Sequence, residues 1–110
     1  MNVVDFEVVE GTTHYINIDC IDENTKERFY LDGYEVVFWL GNENNAHVIK
    51  KDISVADNTV TVKLKPEETI GKNLTYECRI FASNGDIFHV ITGKIKILKP
   101  KIPVELLSKE

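Results

Sequence analysis

Apolar and polar side chains alternate at every second position along most of this chain, and this period constrains the fold more than any other feature. It is clearest in four segments, with apolar residues at Val4, Phe6 and Val8; Ile16, Ile18 and Cys20; Val60, Val62 and Leu64; and Leu74, Tyr76, Cys78, Ile80 and Ala82. A period of two is that of a β-strand with one buried face. Strict alternation is typical of antiparallel sheets with one face in water. We therefore expect a chain built from antiparallel strands.

The segments between these runs carry turn signals. Residues 34–40 are apolar on both faces, which predicts a strand in the interior of a sheet. Residues 66–71 have Pro near the start and Gly at the end, and this predicts a single helical turn. Asn84-Gly85 predicts a hairpin, because both residues tolerate positive φ. Gly93 predicts a bulge or bend within a long last strand, residues 87–98.

Together these signals predict an all-β fold, an immunoglobulin-like antiparallel β-sandwich of seven to eight strands with one short helical turn. A chain of 110 residues suits one domain. We place the β-sandwich domain at residues 1–98 and an extended C-terminal tail at residues 99–110. The tail is set apart because Pro100 and Pro103 cannot continue a strand ladder.

The net charge, the length of the apolar runs and the first residues of the chain argue against nucleic acid, membrane and export. The chain has 13 Lys and Arg against 18 Asp and Glu, a net charge of −5, whereas nucleic-acid binders usually carry a basic patch. Its longest apolar run is far shorter than the roughly 20 residues that span a membrane. The first residues lack the basic start and apolar core of a signal peptide. We therefore expect no nucleic acid, no membrane and no export.

No arrangement of side chains suggests an enzyme. His14, His47 and His89 lie in different predicted segments, with no carboxylate at a recurring spacing. Zinc sites need closely spaced Cys or His pairs, and the sequence has neither C-x-x-C nor H-x-x-x-H. We therefore predict no catalytic residue, no bound metal and no cofactor.

The two cysteines are candidates for a disulfide. Cys20 and Cys78 both fall on the predicted inward face of their strands. With Trp39 between them and Tyr76 two residues before Cys78, they are similar to the Cys, Trp and Tyr-x-Cys arrangement of immunoglobulin domains. The alternative is that both are free thiols acting as small core residues. The sequence leaves both alternatives open.

Aromatic and apolar residues outside the predicted core suggest a binding surface. Tyr15 and Phe81 point away from the core on the alternation, and Phe29 and Tyr30 lie beside a turn. The tail adds apolar residues that it cannot bury by itself: Ile102, Val104, Leu106 and Leu107. Such a tail either folds back on its own sandwich or lies on a neighbouring chain. We predict that these residues contact another protein chain.

The order of these landmarks resembles a family of phage virion domains, the N-terminal domain of the baseplate upper protein. The landmarks are a Thr-rich entry to an early strand at residues 11–18, a Leu-x-Gly step at residues 31–38, a strand followed by a helical turn at residues 60–69, a Tyr-bearing strand at Tyr76, a Gly-containing hairpin at Gly85 and a closing strand at residues 93–97. The resemblance covers residues 11–98. It implies a domain without catalytic residues that packs into a tail or baseplate and holds receptor-binding proteins. Family members usually continue into a coiled or fibre-like segment, whereas only residues 99–110 follow here.

Two hypotheses on function follow. The first is a non-enzymatic structural component of a phage or prophage virion (baseplate, tail or adaptor), a homo-oligomer that contacts other virion proteins and assembles in the bacterial cytoplasm. The alternative is an extracellular immunoglobulin-like binding module for a glycan or a host protein. The alternative requires a Cys20–Cys78 bridge and an export route.

Overall fold

The computed structural model describes residues 2–42 and 47–102, and these residues are almost entirely β. The elements, in chain order, are β1 (Asn2–Val3), β2 (Phe6–Val9), β3 (His14–Asp19), β4 (Glu35–Asn42), β5 (Val48–Lys51), β6 (Ile53–Ala56), β7 (Thr59–Leu64), a 3-10 turn (Pro66–Glu68), β8 (Leu74–Phe81) and β9 (Ile87–Leu98). Only Val4 and Asp5 separate β1 from β2, and only Asp52 separates β5 from β6. If β1 with β2 and β5 with β6 are each counted as one run, the described residues contain seven strands, and the prediction was seven to eight.

The strands form two sheets with the core between them. The larger sheet has the order β1 and β2, then β9, β8, β4 and β5, and the smaller sheet has the order β3, β7, β6. The chain passes from the larger to the smaller sheet at Asp52, since β5 pairs with β4 whereas β6 pairs with β7. The predicted immunoglobulin-like β-sandwich with one short helical turn is confirmed.

The alternating apolar residues of both sheets form one core. Ile16 and Leu64 of the smaller sheet and Phe38, Cys78 and Ile95 of the larger are almost completely buried. The predicted interior position of residues 34–40 is also confirmed, because β4 pairs with β8 on one side and β5 on the other. Each such Ile, Leu or Phe contributes about 1.5–3 kcal/mol by leaving water.

Trp39 lies outside the core, whereas the corresponding Trp of immunoglobulin domains is buried. Phe38, its neighbour, is fully buried and its ring stacks on Tyr76 with centroids 5.5 Å apart. Successive side chains of a strand point to opposite faces, so Trp39 lies on the outer face of the larger sheet. There it is half-buried and meets the edge of Phe81 at 6.3 Å.

The prediction of antiparallel pairing throughout is wrong at the N-terminus. β1 and β2 pair in parallel with β9, with Asn2 opposite Ile91 and Phe6 opposite Ile95. Val4, predicted to be buried, lies in the break between β1 and β2 and is 40% exposed. Two strands that are far apart in the sequence can pair in parallel or antiparallel. Alternation of apolar residues does not distinguish these two directions.

Gly93 has a different role from the predicted bulge. The irregularity in β9 lies earlier, where Cys78 pairs with Ile91 but Arg79 pairs with His89, so that Val90 is the extra residue. At Gly93 the backbone of Val4 approaches so closely that an added Cβ would lie 1.9 Å from the Val4 carbonyl oxygen. Gly93 therefore permits the N-terminal segment to lie against β9.

The predicted hairpin between β8 and β9 is confirmed, with one difference. Gly85 has φ +95° and its N–H donates to the Ala82 carbonyl. Asn84 is not among the residues with positive φ; its side-chain oxygen instead accepts a hydrogen bond from the Asp86 N–H. One left-handed residue is enough for a turn of this longer type.

Two polar clusters attach the 3-10 turn to the sandwich. Thr69 is fully buried, and its hydroxyl accepts hydrogen bonds from the N–H groups of Gly11 and Thr12, each at 3.1 Å. The Glu68 carboxylate accepts from the Lys51 ammonium at 2.7 and 2.8 Å and from the Lys65 N–H at 2.8 Å. Partial burial would raise the pKa of Glu68, but these hydrogen bonds outweigh it and lower the pKa below its usual value.

Candidate protein interaction site

A cleft of about 870 Å³ opens along one side of the sandwich. Ile18 and Cys20 at the end of β3 line it from the smaller sheet, and Ile91 lines it from the larger. Its lining includes large apolar side chains that are at least 40% exposed: Val3, Val4, Ile21, Ile87 and Phe88. Clustered exposed apolar residues of this kind mark interaction surfaces.

One wall of the cleft carries an open strand edge. β3 pairs with β7 on one side, and no other described strand pairs with its second side, because β1 and β2 lie on β9. An open edge presents backbone N–H and C=O groups that can pair with a further strand. At the opposite side of the sandwich, β5 continues into β6, and the chain crosses there from one sheet to the other.

Three hydrogen bonds hold the other wall in place. The Val4 N–H donates to the Thr92 carbonyl at 2.9 Å, and the Val4 carbonyl accepts from the Tyr76 hydroxyl. The Lys94 N–H donates to the Asp5 carboxylate at 2.9 Å. Burial is the main reason that the pKa of Tyr76 rises to about 12, so this hydroxyl keeps its proton and remains a donor.

The rim of the cleft at the end of β3 is acidic. Asp19, Asp22 and Glu23 line it, and the lining includes neither Lys nor Arg. The Asp22 carboxylate accepts hydrogen bonds from the N–H groups of Thr25 and Asn24, which lower its pKa. The lowered pKa keeps Asp22 charged at neutral pH, and a basic group of a partner would be favoured at this rim.

The four aromatic residues predicted to bind do not form one patch. Phe29 lines the cleft, half-buried, with its ring 6.1 Å from Phe88. Tyr15 is exposed on the outer face of the smaller sheet, where the Lys63 ammonium lies 6.0 Å from its ring centroid. Phe81 is on the larger sheet, and Tyr30 is exposed in the β3–β4 connection. The residues are separated because β3 and β8 belong to different sheets.

Of the predicted tail residues, the structure describes only Ile102, which is 54% exposed. Val104, Leu106 and Leu107 lie outside the described residues. The last strand ends at Leu98, and its carbonyl accepts a hydrogen bond from the Glu10 N–H at 2.8 Å. Lys99 forms an ion pair with Glu10. The chain therefore leaves the sandwich at the His14 end of β3, opposite to the acidic rim.

The cysteines are buried and are free thiols in this structure. Burial raises the pKa of Cys78 to about 12, with a smaller contribution from Cys20, and burial also raises the pKa of Cys20. A thiol with a raised pKa is a poor nucleophile. Both residues act as core residues here, and a bridge between them stays a prediction.

A charged cluster that the sequence did not reveal lies on the outer face of the larger sheet. Glu77 contacts Arg79 at 2.7 Å and His89 at 3.4 Å, and all three side chains are partly exposed. Glu77 and Arg79 share one face of β8, whereas the contact with His89 depends on the cross-strand register of β8 and β9, which alternation alone does not fix. Exposed ion pairs of this kind contribute about 0–1 kcal/mol.

The described residues offer few other sites. Within residues 2–42 and 47–102, no group of three or more His, Cys, Asp or Glu side chains could hold a metal ion. In the same part of the chain, no helix is long and apolar enough to cross a membrane. No family model matches the chain, and no curated protein matches it.

Proposed function

We propose that this protein is a non-enzymatic structural component of a phage or prophage particle and acts through protein–protein contacts. The observation that carries the proposal is the exposed apolar cleft beside the open edge of β3. A soluble domain that leaves such an edge uncovered is prone to pair with other chains, so an assembly that covers it is a natural use. The resemblance of residues 11–98 to baseplate domains gives the kind of particle.

In this proposal the partners are other virion proteins and further copies of the chain. Closed symmetric assembly is the usual arrangement of such copies. Association is driven by burial of apolar surface, which contributes about 25 cal/mol of free energy for each Å² removed from water. No reaction is catalysed.

The proposal is tested by charging the cleft. Val3 is 65% exposed on the cleft wall, whereas Val55 is 45% exposed on β6 at the opposite side. We expect Val3→Lys to shift the protein toward monomer in sedimentation velocity and Val55→Lys to leave the multimer of the unmodified protein unchanged. A Val3→Lys variant that associates as strongly as the unmodified protein would contradict a role for the cleft.

A further inference from the structure

We infer that the open edge of β3 pairs with β3 of a second copy of this chain, as antiparallel strands related by a two-fold axis at Asn17. The inference rests on the proposed function, since it names the partner that this edge takes. The smaller sheets of the two copies then join into one continuous sheet.

The backbone groups at the open edge belong to Tyr15, Asn17 and Asp19. The Cys20 N–H donates to the Asn58 carbonyl at 2.8 Å, on the side of β7. Backbone groups of successive residues face opposite sides of a strand, so every second residue counted back from Cys20 also faces β7. The three residues between them direct their N–H and C=O groups to the edge with which no other described strand pairs.

A two-fold axis at Asn17 pairs every one of these groups. Asn17 then lies opposite Asn17 of the second copy, and Tyr15 of each copy lies opposite Asp19 of the other. A hydrogen-bonded pair of an antiparallel ladder exchanges two bonds, so these three pairs form about six hydrogen bonds. Each of the three residues has the N–H that pairing requires, since none of them is Pro.

The side chains suit this register on both faces of the joined sheet. On the inner face, Ile16 lies opposite Ile18 of the second copy, and both are buried core residues of their own sandwich. On the outer face, the Asn17 side-chain oxygen accepts a hydrogen bond from the Thr61 hydroxyl at 2.9 Å. The Asn17 amide also carries two N–H donors, which can reach the side chain of Asn17 in the second copy.

Charge favours the antiparallel direction. Asp19 lies at the acidic end of β3, whereas Lys63 lies opposite Tyr15 near the other end, with its ammonium 6.0 Å from the Tyr15 ring centroid. Antiparallel pairing places Asp19 of the second copy two strand spacings from Lys63, about 10 Å between Cα atoms, and the two side chains together span this distance. A parallel pair would bring both acidic ends together, where like charges repel. The edge is therefore complementary to itself, as a two-fold interface requires.

Cysteine cross-linking tests the register. Asn17→Cys is kept under mild oxidation, and non-reducing gels are read for a covalent dimer. Hydrogen-bonded residue pairs lie about 5.5 Å apart between Cα atoms, which suits a disulfide. Thr61→Cys is the matched control, because Thr61 lies directly opposite Asn17 but one strand further from the edge. We expect a dimer from Asn17→Cys and none from Thr61→Cys or from the unmodified protein, whose thiols are buried.

Asp19→Cys tests the direction of pairing. In the antiparallel register the two copies of residue 19 lie four residues apart along the strands, about 14 Å, which is too far for a disulfide. A parallel pair would instead bring them together. We expect no dimer from Asp19→Cys alone and a mixed dimer when it is combined with an affinity-tagged Tyr15→Cys copy.

Charge reversal provides a second measurement that needs no cross-link. Asp19→Lys brings a second ammonium toward Lys63 at both ends of the interface. We expect the dissociation constant of the dimer in sedimentation velocity to rise about tenfold. The double variant Asp19→Lys with Lys63→Asp should recover most of the lost affinity, because it restores opposite charges across the interface.

Four results would overturn the inference: no dimer from Asn17→Cys, an equal yield from Thr61→Cys, a dimer from Asp19→Cys alone, or a double variant as weak as Asp19→Lys. If the protein is still multimeric in that case, the proposed function stands and only the assigned interface is wrong. A protein that is monomeric at every concentration removes the proposed function as well.

Discussion

Replacing Gly93 by Ala should displace the chain at Val4 and Asp5, between β1 and β2, from its position against β9. The new Cβ would lie 1.9 Å from the Val4 carbonyl oxygen and 2.8 Å from its carbon, and both atoms belong to the backbone. No side-chain rotation relieves such a contact, so the chain at Val4 must move away from β9.

The magnitude follows from what that movement breaks. Three hydrogen bonds hold this segment: Val4 N–H to Thr92, Tyr76 to the Val4 carbonyl, and Lys94 N–H to Asp5. At about 1 kcal/mol each, their loss lowers the free energy of unfolding by about 3 kcal/mol. The cleft loses Val3 and Val4 from its wall in the same step, so association should weaken too.

The assay is urea unfolding with Gly85→Ala as the matched control. Gly85 has φ +95° and open space where a Cβ would be, so this change introduces only left-handed strain of about 1–2 kcal/mol. We expect Gly93→Ala to be the more destabilised variant and the only one with weakened association. If Gly93→Ala is as stable as the unmodified protein, the close approach of Val4 to β9 is wrong.

Three further predictions follow from the polar clusters and the thiols. Thr69→Val should lower the free energy of unfolding by about 1–2 kcal/mol, because the Thr12 N–H loses its acceptor and the Gly11 N–H keeps only the Thr69 carbonyl, while Thr69→Ser should be nearly neutral in urea unfolding. Since the folded-state pKa of Glu68 is lowered, its contribution to stability is present above its unfolded pKa and is lost as pH falls through the folded pKa. Glu68→Gln should therefore reduce the pH dependence of the unfolding free energy between about pH 5 and 3. An unchanged pH dependence would contradict the pairing with Lys51. Thiol titration should find Cys20 and Cys78 unreactive at pH 8 in the folded protein and both reactive in denaturant, whereas no reactive thiol in denaturant would mean that they are bridged.

The sequence predicts the sandwich because alternation directly reports which face of each strand is buried. The same signal places Cys78 in the core and Tyr15 outside it, as the structure has them. It also contains the information that Trp39 faces outward, since Phe38 and Trp39 cannot share a face. The Cys, Trp and Tyr-x-Cys arrangement of immunoglobulin domains is an order of residues along the chain, and a matching order does not fix the face on which Trp39 lies.

The cleft could not be predicted, because it depends on which strand the N-terminus joins. Had β2 paired with β3, the open edge and the exposed position of Val4 would be absent. Pairing between the two ends of a chain leaves little local signal, and the one available indication was a Gly at position 93, which is compatible with both a bulge and a close approach. The separation of Tyr15 from Phe81 has the same origin, since sheet membership is a long-range property.

The solution mass of the unmodified protein, measured by light scattering over a wide concentration range, tests the central claim that this domain works by contact with other chains. The account predicts a fixed multimer of 12.6 kDa units that persists on dilution. A mass of 12.6 kDa at every concentration would contradict it.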